Sequence, residues 1–325
     1  MDFYGTLGPS SCTSSVLTQM YNCGMTGVRL NLSHGTLKDH ADWLKTASLA
    51  AKSAGKQTKI LIDLQGPELR VGTLAKECVL NMGSLVILGH EGIPVPKVLL
   101  EQCREGMHLL LDDGKIKVEI IKCNGSRIEA KVLRGGILKS RKSITVCDVQ
   151  IDTPTLTEQD LLNLKMAKDY GVTGVMLPFV RSTDDLINLK RVLALNDAQD
   201  IQIFAKIENM QGVDFLESFL PLSDEIVIAR GDLGNSMPLW ELPRVQKQIA
   251  NQCKKAKKPF MVVTQMLDSM EHRQVPTRAE VSDIYNAVID GASSVMLTGE
   301  TAVGEYPIDA MNYLVKTASV AMEDR

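Results

Sequence analysis

Short apolar, β-branched runs recur along the chain, and most are followed by a stretch with helical spacing of apolar residues. The pattern predicts strands at 3–7, 26–30, 58–63, 172–177, 201–205, 224–229, 259–263 and 293–297. Ile60-Leu61-Ile62, Ile226-Val227-Ile228 and Met261-Val262-Val263 are continuous apolar runs. Strands buried on both faces, as in a parallel sheet, read this way. Helical patterns lie between them at 158–170, 183–195, 241–257 and 279–291. Eight strands alternating with helices predict an α/β fold, a (β/α)8 TIM barrel.

Residues 72–150 break the rhythm. They hold short β-like pieces, Ser84–Leu88, Ile116–Ile120 and Arg127–Val132. Turn signals separate them at Asp112-Asp113-Gly114, Asn124-Gly125 and Gly135-Gly136. This predicts a small all-β domain at 72–150, inserted between the first part of the barrel at 1–71 and its remainder at 151–325.

Composition narrows the function. The 325 residues carry a formal net charge of −3, and only 4% are aromatic. Both values argue against a nucleic-acid or anionic-membrane surface. Seven scattered cysteines without a C-x-x-C pair read as reduced thiols. Together with an N-terminus lacking a signal-peptide pattern, they predict a cytoplasmic protein. No stretch is apolar enough to predict a membrane span. No Walker-type loop, G-x-G-x-x-G or G-x-S-x-G elbow occurs.

Barrel enzymes place their chemistry at the C-terminal ends of the strands. Each predicted strand here runs into a polar or glycine-containing turn, so the turns would ring one mouth. Glu208 and Asp232 end adjacent strands, and oxygen ligands of this kind suit magnesium. Lys206 lies two residues before Glu208, so both side chains share a face. A lysine there can neutralise a transferring phosphoryl group. Arg29 and Arg70 offer forks for phosphate or carboxylate oxygens. Backbone N–H groups at Gly231-Asp232 and the Thr264 hydroxyl can hold a small carboxylate. Asn31, Ser33 and Asp63 supply oxygens for a monovalent cation. Each residue also has a plain structural reading: surface carboxylates, ordinary ion pairs, a helix N-cap or turn hydrogen bonds. From the residues alone, the mouth reads as a magnesium-assisted phosphoryl or enolate site.

The same strings resemble the pyruvate kinase family. They are TLGPSS, GVRLNLSHG, DLQGPELRVG, LDDGKI, KIENMQG, IARGDLGN, TQMLDSM, PTRAEVSDIYNAVIDGA and MLTGETAVGEYP, running from residue 6 to about 307. The resemblance implies phosphoryl transfer from phosphoenolpyruvate to ADP, giving pyruvate and ATP. It implies that Glu208 and Asp232 hold magnesium, or manganese in its place. Lys206 would stabilise the transferring phosphoryl group, Arg29 would contact phosphate oxygens of both substrates, and Arg70 would support that pocket. The Ala229–Asp232 turn, with Gly231, and Thr264 would bind the substrate carboxylate. Asn31, Ser33, Asp63 and the Leu64 carbonyl would surround potassium. Pro9, His34 and Asn31 would lie near the nucleotide. Thr298 and Glu300 fall where the family has groups linked to protonating the enolate. The inserted domain would be a mobile lid, closing with Asp113 and the Arg141-Lys142 pair toward the nucleotide.

Four departures from the family pattern stand out. The usual C-terminal effector domain has no counterpart, which predicts no effector site of that type. Leu64 and Gln65 follow the potassium-independent pattern, while Glu68 follows the potassium-dependent one. With no fixed cation at Glu68, potassium dependence is expected. The lid's closing segment, Lys142–Asp148, lacks the family's glycines and proline. Pro178 stands where a serine is usual, removing one hydroxyl from the mouth. These departures leave two alternatives open: action on another enolpyruvyl or 2-oxo acid, or binding of phosphoenolpyruvate or nucleotide without turnover. The resemblance leaves a homodimer through the barrel open, beside the plain reading that the segments concerned simply pack the barrel.

Overall fold

A computed structural model describes residues 1–112, 114–147, 151 and 153–325. Its main sheet is a closed barrel of eight parallel strands. They are β1 Asp2–Thr6, β2 Gly27–Asn31, β3 Lys59–Asp63, β4 Gly174–Leu177, β5 Gln202–Ile207, β6 Glu225–Ala229, β7 Phe260–Val263 and β8 Ser294–Leu297. Each pairs with its sequence neighbours, and β1 closes the ring on β8. Helices follow the strands, among them Ser14–Cys23, Ala41–Ser53, Thr183–Leu195, Leu242–Lys255, Arg278–Ile289 and Pro307–Glu323. The chain is therefore a TIM barrel carrying an inserted antiparallel β unit.

Side-chain alternation along each strand explains where the site lies. Val28, Leu30, Ile60, Ile62, Ile203, Ile207, Ile226 and Ile228 belong to the apolar layer shared with the helices. Tyr4, Leu61, Met176, Phe204, Val227, Met261 and Met296 form a separate cluster inside the ring. Gly27 and Gly174 make room for that filling: a Cβ would stand 2.5 Å from the Tyr4 ring at Gly27 and 2.6 Å from Leu61 at Gly174. Two residues further along the same inward faces, the character changes. Arg29 and Asn31 follow Gly27, Asp63 follows Leu61, and Lys206 and Glu208 follow Phe204. The interior is thus apolar in its middle and charged at the strands' C-terminal end.

Contacts divide the chain into two compact units, Met1–Gly66 with Thr155–Arg325, and Pro67–Pro154. The smaller unit holds a six-stranded antiparallel sheet and a two-stranded one. Its own core includes Leu88, Leu99, Leu109, Leu111, Val118, Ile128 and Val132. A short helix, Lys97–Gln102, lies among its strands. The pairing of Leu69-Arg70 with Ile144-Ser143 draws residues ahead of position 72 into this unit. Its limits therefore lie a few residues outside 72–150.

Candidate active site

The mouth of the barrel is organised by one buried chain of polar contacts. Asp63, the last residue of β3, is 2% exposed. Its Oδ2 accepts from Arg29 Nε and Nη2 at 3.1 and 2.5 Å. Lys206 Nζ from β5 lies 3.1 and 3.0 Å from Asp63 Oδ1 and Oδ2. The same ammonium is 2.9 Å from Glu208 Oε1, and Glu208 Oε2 accepts from the Phe179 amide at 2.8 Å. At the other end, Arg29 Nη1 donates to Thr6 Oγ1 at 3.3 Å, and that hydroxyl donates to the Leu297 carbonyl at 2.8 Å. Six strand ends are linked in this way.

Burial is the largest influence on Asp63 and would raise its carboxyl, but Lys206 and Arg29 outweigh it and hold the group below the usual range. Burial likewise disfavours the Lys206 ammonium, yet Asp63 and Glu208 push its pKa upward. Both groups are therefore charged at neutral pH. Two cations and two carboxylates balance within the network, leaving a fixed ammonium beside Glu208.

Asp232 lies in the first turn of a short helix, Arg230–Asn235, that follows β6 directly. Ile207 and Ile228 are register partners on β5 and β6, so Glu208 and Asp232 project from the same end of neighbouring strands. The Gly231 backbone meets Thr264: a Cβ there would be 3.1 Å from Thr264 Cγ2. Thr264 follows β7 with φ of 76°. Glu300 is buried, and its Oε2 accepts from the Thr298 amide at 2.7 Å and hydroxyl at 3.2 Å. Its Oε1 accepts from the Leu267 amide at 3.0 Å. Glu300 thus ties the β8 turn to the β7 turn, and it reaches the mouth through Thr298.

Asn31 and Asp63 are register partners on β2 and β3. Asn31 Oδ1 accepts from the Ser33 amide at 3.1 Å, and the Leu64 amide donates to the Met176 carbonyl at 3.2 Å. Pro9 belongs to a turn whose Gly8 packs on the Ala302 backbone. His34 ends a 3-10 turn, Leu32–His34, after β2. The Pro178 ring packs on Gly66, where a Cβ would come within 2.3 Å of it.

A family model described as pyruvate kinase, barrel domain, matches residues 2–311. The chain belongs to the pyruvate kinase family. A pyruvate kinase of Bacillus licheniformis is 39% identical over 329 residues, covering 98% of this chain and 56% of that protein. One from Geobacillus stearothermophilus is 37% identical over 334 residues, with 98% and 57% covered. One from Aeropyrum pernix is 39% identical over 319 residues, with 97% and 69% covered. The chain spans a little over half the length of the first two relatives.

For a pyruvate kinase family member, two implied cations can be tested against the donors present. Glu208 and Asp232 are hard oxygen donors, and magnesium commonly takes one or two carboxylates and completes its shell with substrate and water. Asn31 Oδ1, Ser33 Oγ, the Asp63 carboxylate and the Leu64 carbonyl are oxygen donors, which fits a monovalent cation.

Some expected residues lie in the other unit. Arg70 Nη2 pairs with Glu68 Oε2 at 2.7 Å, and its Nη1 donates to the Arg141 carbonyl at 2.7 Å. Lys142 Nζ pairs with Asp112 Oδ1 at 2.7 Å. Asp113 lies outside the described residues. Sequence reasoning missed Thr6 and Arg230. Their partners are mostly backbone carbonyls, which leave no residue-type signal. Among the described residues, no helix is long and apolar enough to cross a membrane.

Proposed function

We propose that the chain transfers the phosphoryl group of phosphoenolpyruvate to ADP, giving pyruvate and ATP. The observation that carries this reading is the Lys206 ammonium, fixed between Asp63 and Glu208 at the charged end of the barrel interior. Phosphoryl transfer needs positioning and charge neutralisation more than covalent chemistry from the protein. Arg29 and Lys206 supply cationic donors at pre-set places. Magnesium or manganese held by Glu208 and Asp232 would supply further positive charge to the phosphoryl oxygens.

The Gly231-Asp232 backbone and Thr264 orient the substrate carboxylate. As the enol oxygen loses its phosphoryl group, the enolate carbon takes a proton on the side served by Thr298, which Glu300 holds in place. Asn31, Ser33, Asp63 and the Leu64 carbonyl hold potassium. Pro9, Arg29, Asn31 and His34 serve the nucleotide from the barrel, and Arg70 supports the substrate's phosphate pocket. In this reading Asp113 and Lys142 belong to the nucleotide site, and the inserted unit is a lid that excludes water. The composition favours a cytoplasmic enzyme, and a barrel-to-barrel homodimer is the assembly proposed.

The test is a coupled assay with phosphoenolpyruvate and ADP beside a panel of 2-oxo acids, in tetramethylammonium buffer with and without potassium. Pyruvate formation stimulated by potassium is expected. Turnover confined to a 2-oxo acid would refute the substrate, and indifference to potassium would refute the monovalent site.

A further inference from the structure

We propose that Arg230 is a positioning residue for Thr264, its guanidinium holding the turn after β7 in the backbone shape that sets the Thr264 side chain against Gly231. The inference rests on the reading of Thr264 as a substrate-carboxylate donor. Thr264 and Gln265 have φ of 76° and 54°. Two successive left-handed residues without glycine are unusual, and a β-branched one is a steric outlier. Such a shape persists only where its surroundings hold it.

Arg230 is what holds it. Its Nε and Nη2 donate to the Thr264 carbonyl at 3.1 and 2.7 Å, and Nη2 also reaches the Gln265 carbonyl at 3.1 Å. Nη2 lies 3.0 Å from Met266 Sδ. Nη1 is anchored on Asp283 Oδ2 at 2.6 Å, and the side chain is only 10% exposed. The planar fork of arginine can serve both carbonyls and a carboxylate at once, whereas an ammonium cannot match that geometry. Glu300 holds the far end of the same turn through the Leu267 amide. Arg230 also directly precedes Gly231 and Asp232, so one residue couples the ends of β6 and β7.

The test is a double-mutant cycle, with Arg230→Lys made in the wild type and in Thr264→Val. In the wild type, Arg230→Lys is expected to raise KM for phosphoenolpyruvate about tenfold or more, leaving KM for ADP within about twofold. In Thr264→Val, the same change is expected to add nothing. Amide hydrogen exchange over 264–267 should accelerate in Arg230→Lys while the rest of the barrel is unchanged. Equal losses in both backgrounds, parallel rises in both KM values, or unaltered exchange would overturn the proposal. If Arg230→Lys fails to fold, Asp283→Asn, which keeps the guanidinium and removes the charge of its anchor, should show the same split and exchange at smaller size. An unsplit, unaltered Asp283→Asn then overturns the proposal. A wild type inactive on phosphoenolpyruvate would refute the activity alone, and the exchange measurement would still decide the positioning role.

Discussion

Lys206 Nζ lies 3.0 Å from Asp63 Oδ2, joining β5 to β3 across the intervening β4. Neither group is at home there alone. A buried carboxylate and a buried ammonium each pay heavily for lost hydration, and the balance is restored only by good geometry and further partners. Arg29 and Glu208 are those partners. The same arrangement that makes the pair tolerable fixes a cation at the charged end of the barrel interior, where the proposed transfer would develop charge.

Lys206→Met is expected to destabilise the fold by about 3 kcal/mol, because it leaves buried carboxylates short of a cation. Turnover should fall by about a thousandfold or more. Urea denaturation and steady-state kinetics check both. The pH dependence has a sign. The lowered Asp63 contributes stability above its unfolded value near ~3.9, lost as pH falls through its folded pKa. The raised Lys206 contributes stability below about 10.4, lost as pH rises through its folded pKa.

Glu225, on β6, has the opposite effect. Burial pushes its carboxyl up, and Asp2 adds to this against the Ser294 and Ser293 hydrogen bonds and Lys59. The folded state then binds the proton more tightly than the unfolded chain, so stability is lost as pH climbs above about 4.3. Glu225→Gln keeps an acceptor for both serine hydroxyls. It should be more stable than the wild type at pH 7, with an advantage that shrinks toward pH ~4. Denaturation series across that range check it, and a pH-independent difference would contradict it.

Thr6→Val removes the hydroxyl that joins the Leu297 carbonyl to Arg29 at nearly constant volume. The cost should be about 1–3 kcal/mol, the range for a buried polar group left without its partner. Equilibrium unfolding measures it, and a neutral result would show that the β8-to-β2 link carries no stability.

Glu300→Gln puts an NH2 donor against either the Leu267 or the Thr298 amide, since both carboxylate oxygens accept from backbone. A loss of about 1–3 kcal/mol is expected, with faster hydrogen exchange at one of those two amides. Unchanged exchange at both would show that the tie is dispensable.

The barrel was legible because its strands are buried on both faces, so each reads as a compact apolar run such as Ile226-Val227-Ile228. The inserted unit was less so. Ser143–Val146 is a short strand that pairs with His108–Leu111 and with Leu69-Arg70, both far away in the sequence, and nothing in its residues marks a partner. The limits of that unit turn on Leu69-Arg70, whose place depends on pairing with Ser143-Ile144. In the site, the Lys206-x-Glu208 spacing announced its own pairing. Asp63 with Lys206 did not, because 143 residues separate them and only barrel closure brings them together. Arg230 lay in plain view inside a motif, but its role depends on the positive φ of Thr264, which is a property of the backbone.

The most direct measurement compares pyruvate and ATP formation from phosphoenolpyruvate and ADP, with magnesium present, by the wild type and Asp232→Ala. Magnesium-dependent formation of both products by the wild type, and its loss in a variant with unchanged circular dichroism, is the predicted result. No product from the folded wild type, or near-normal turnover by Asp232→Ala, would contradict the account.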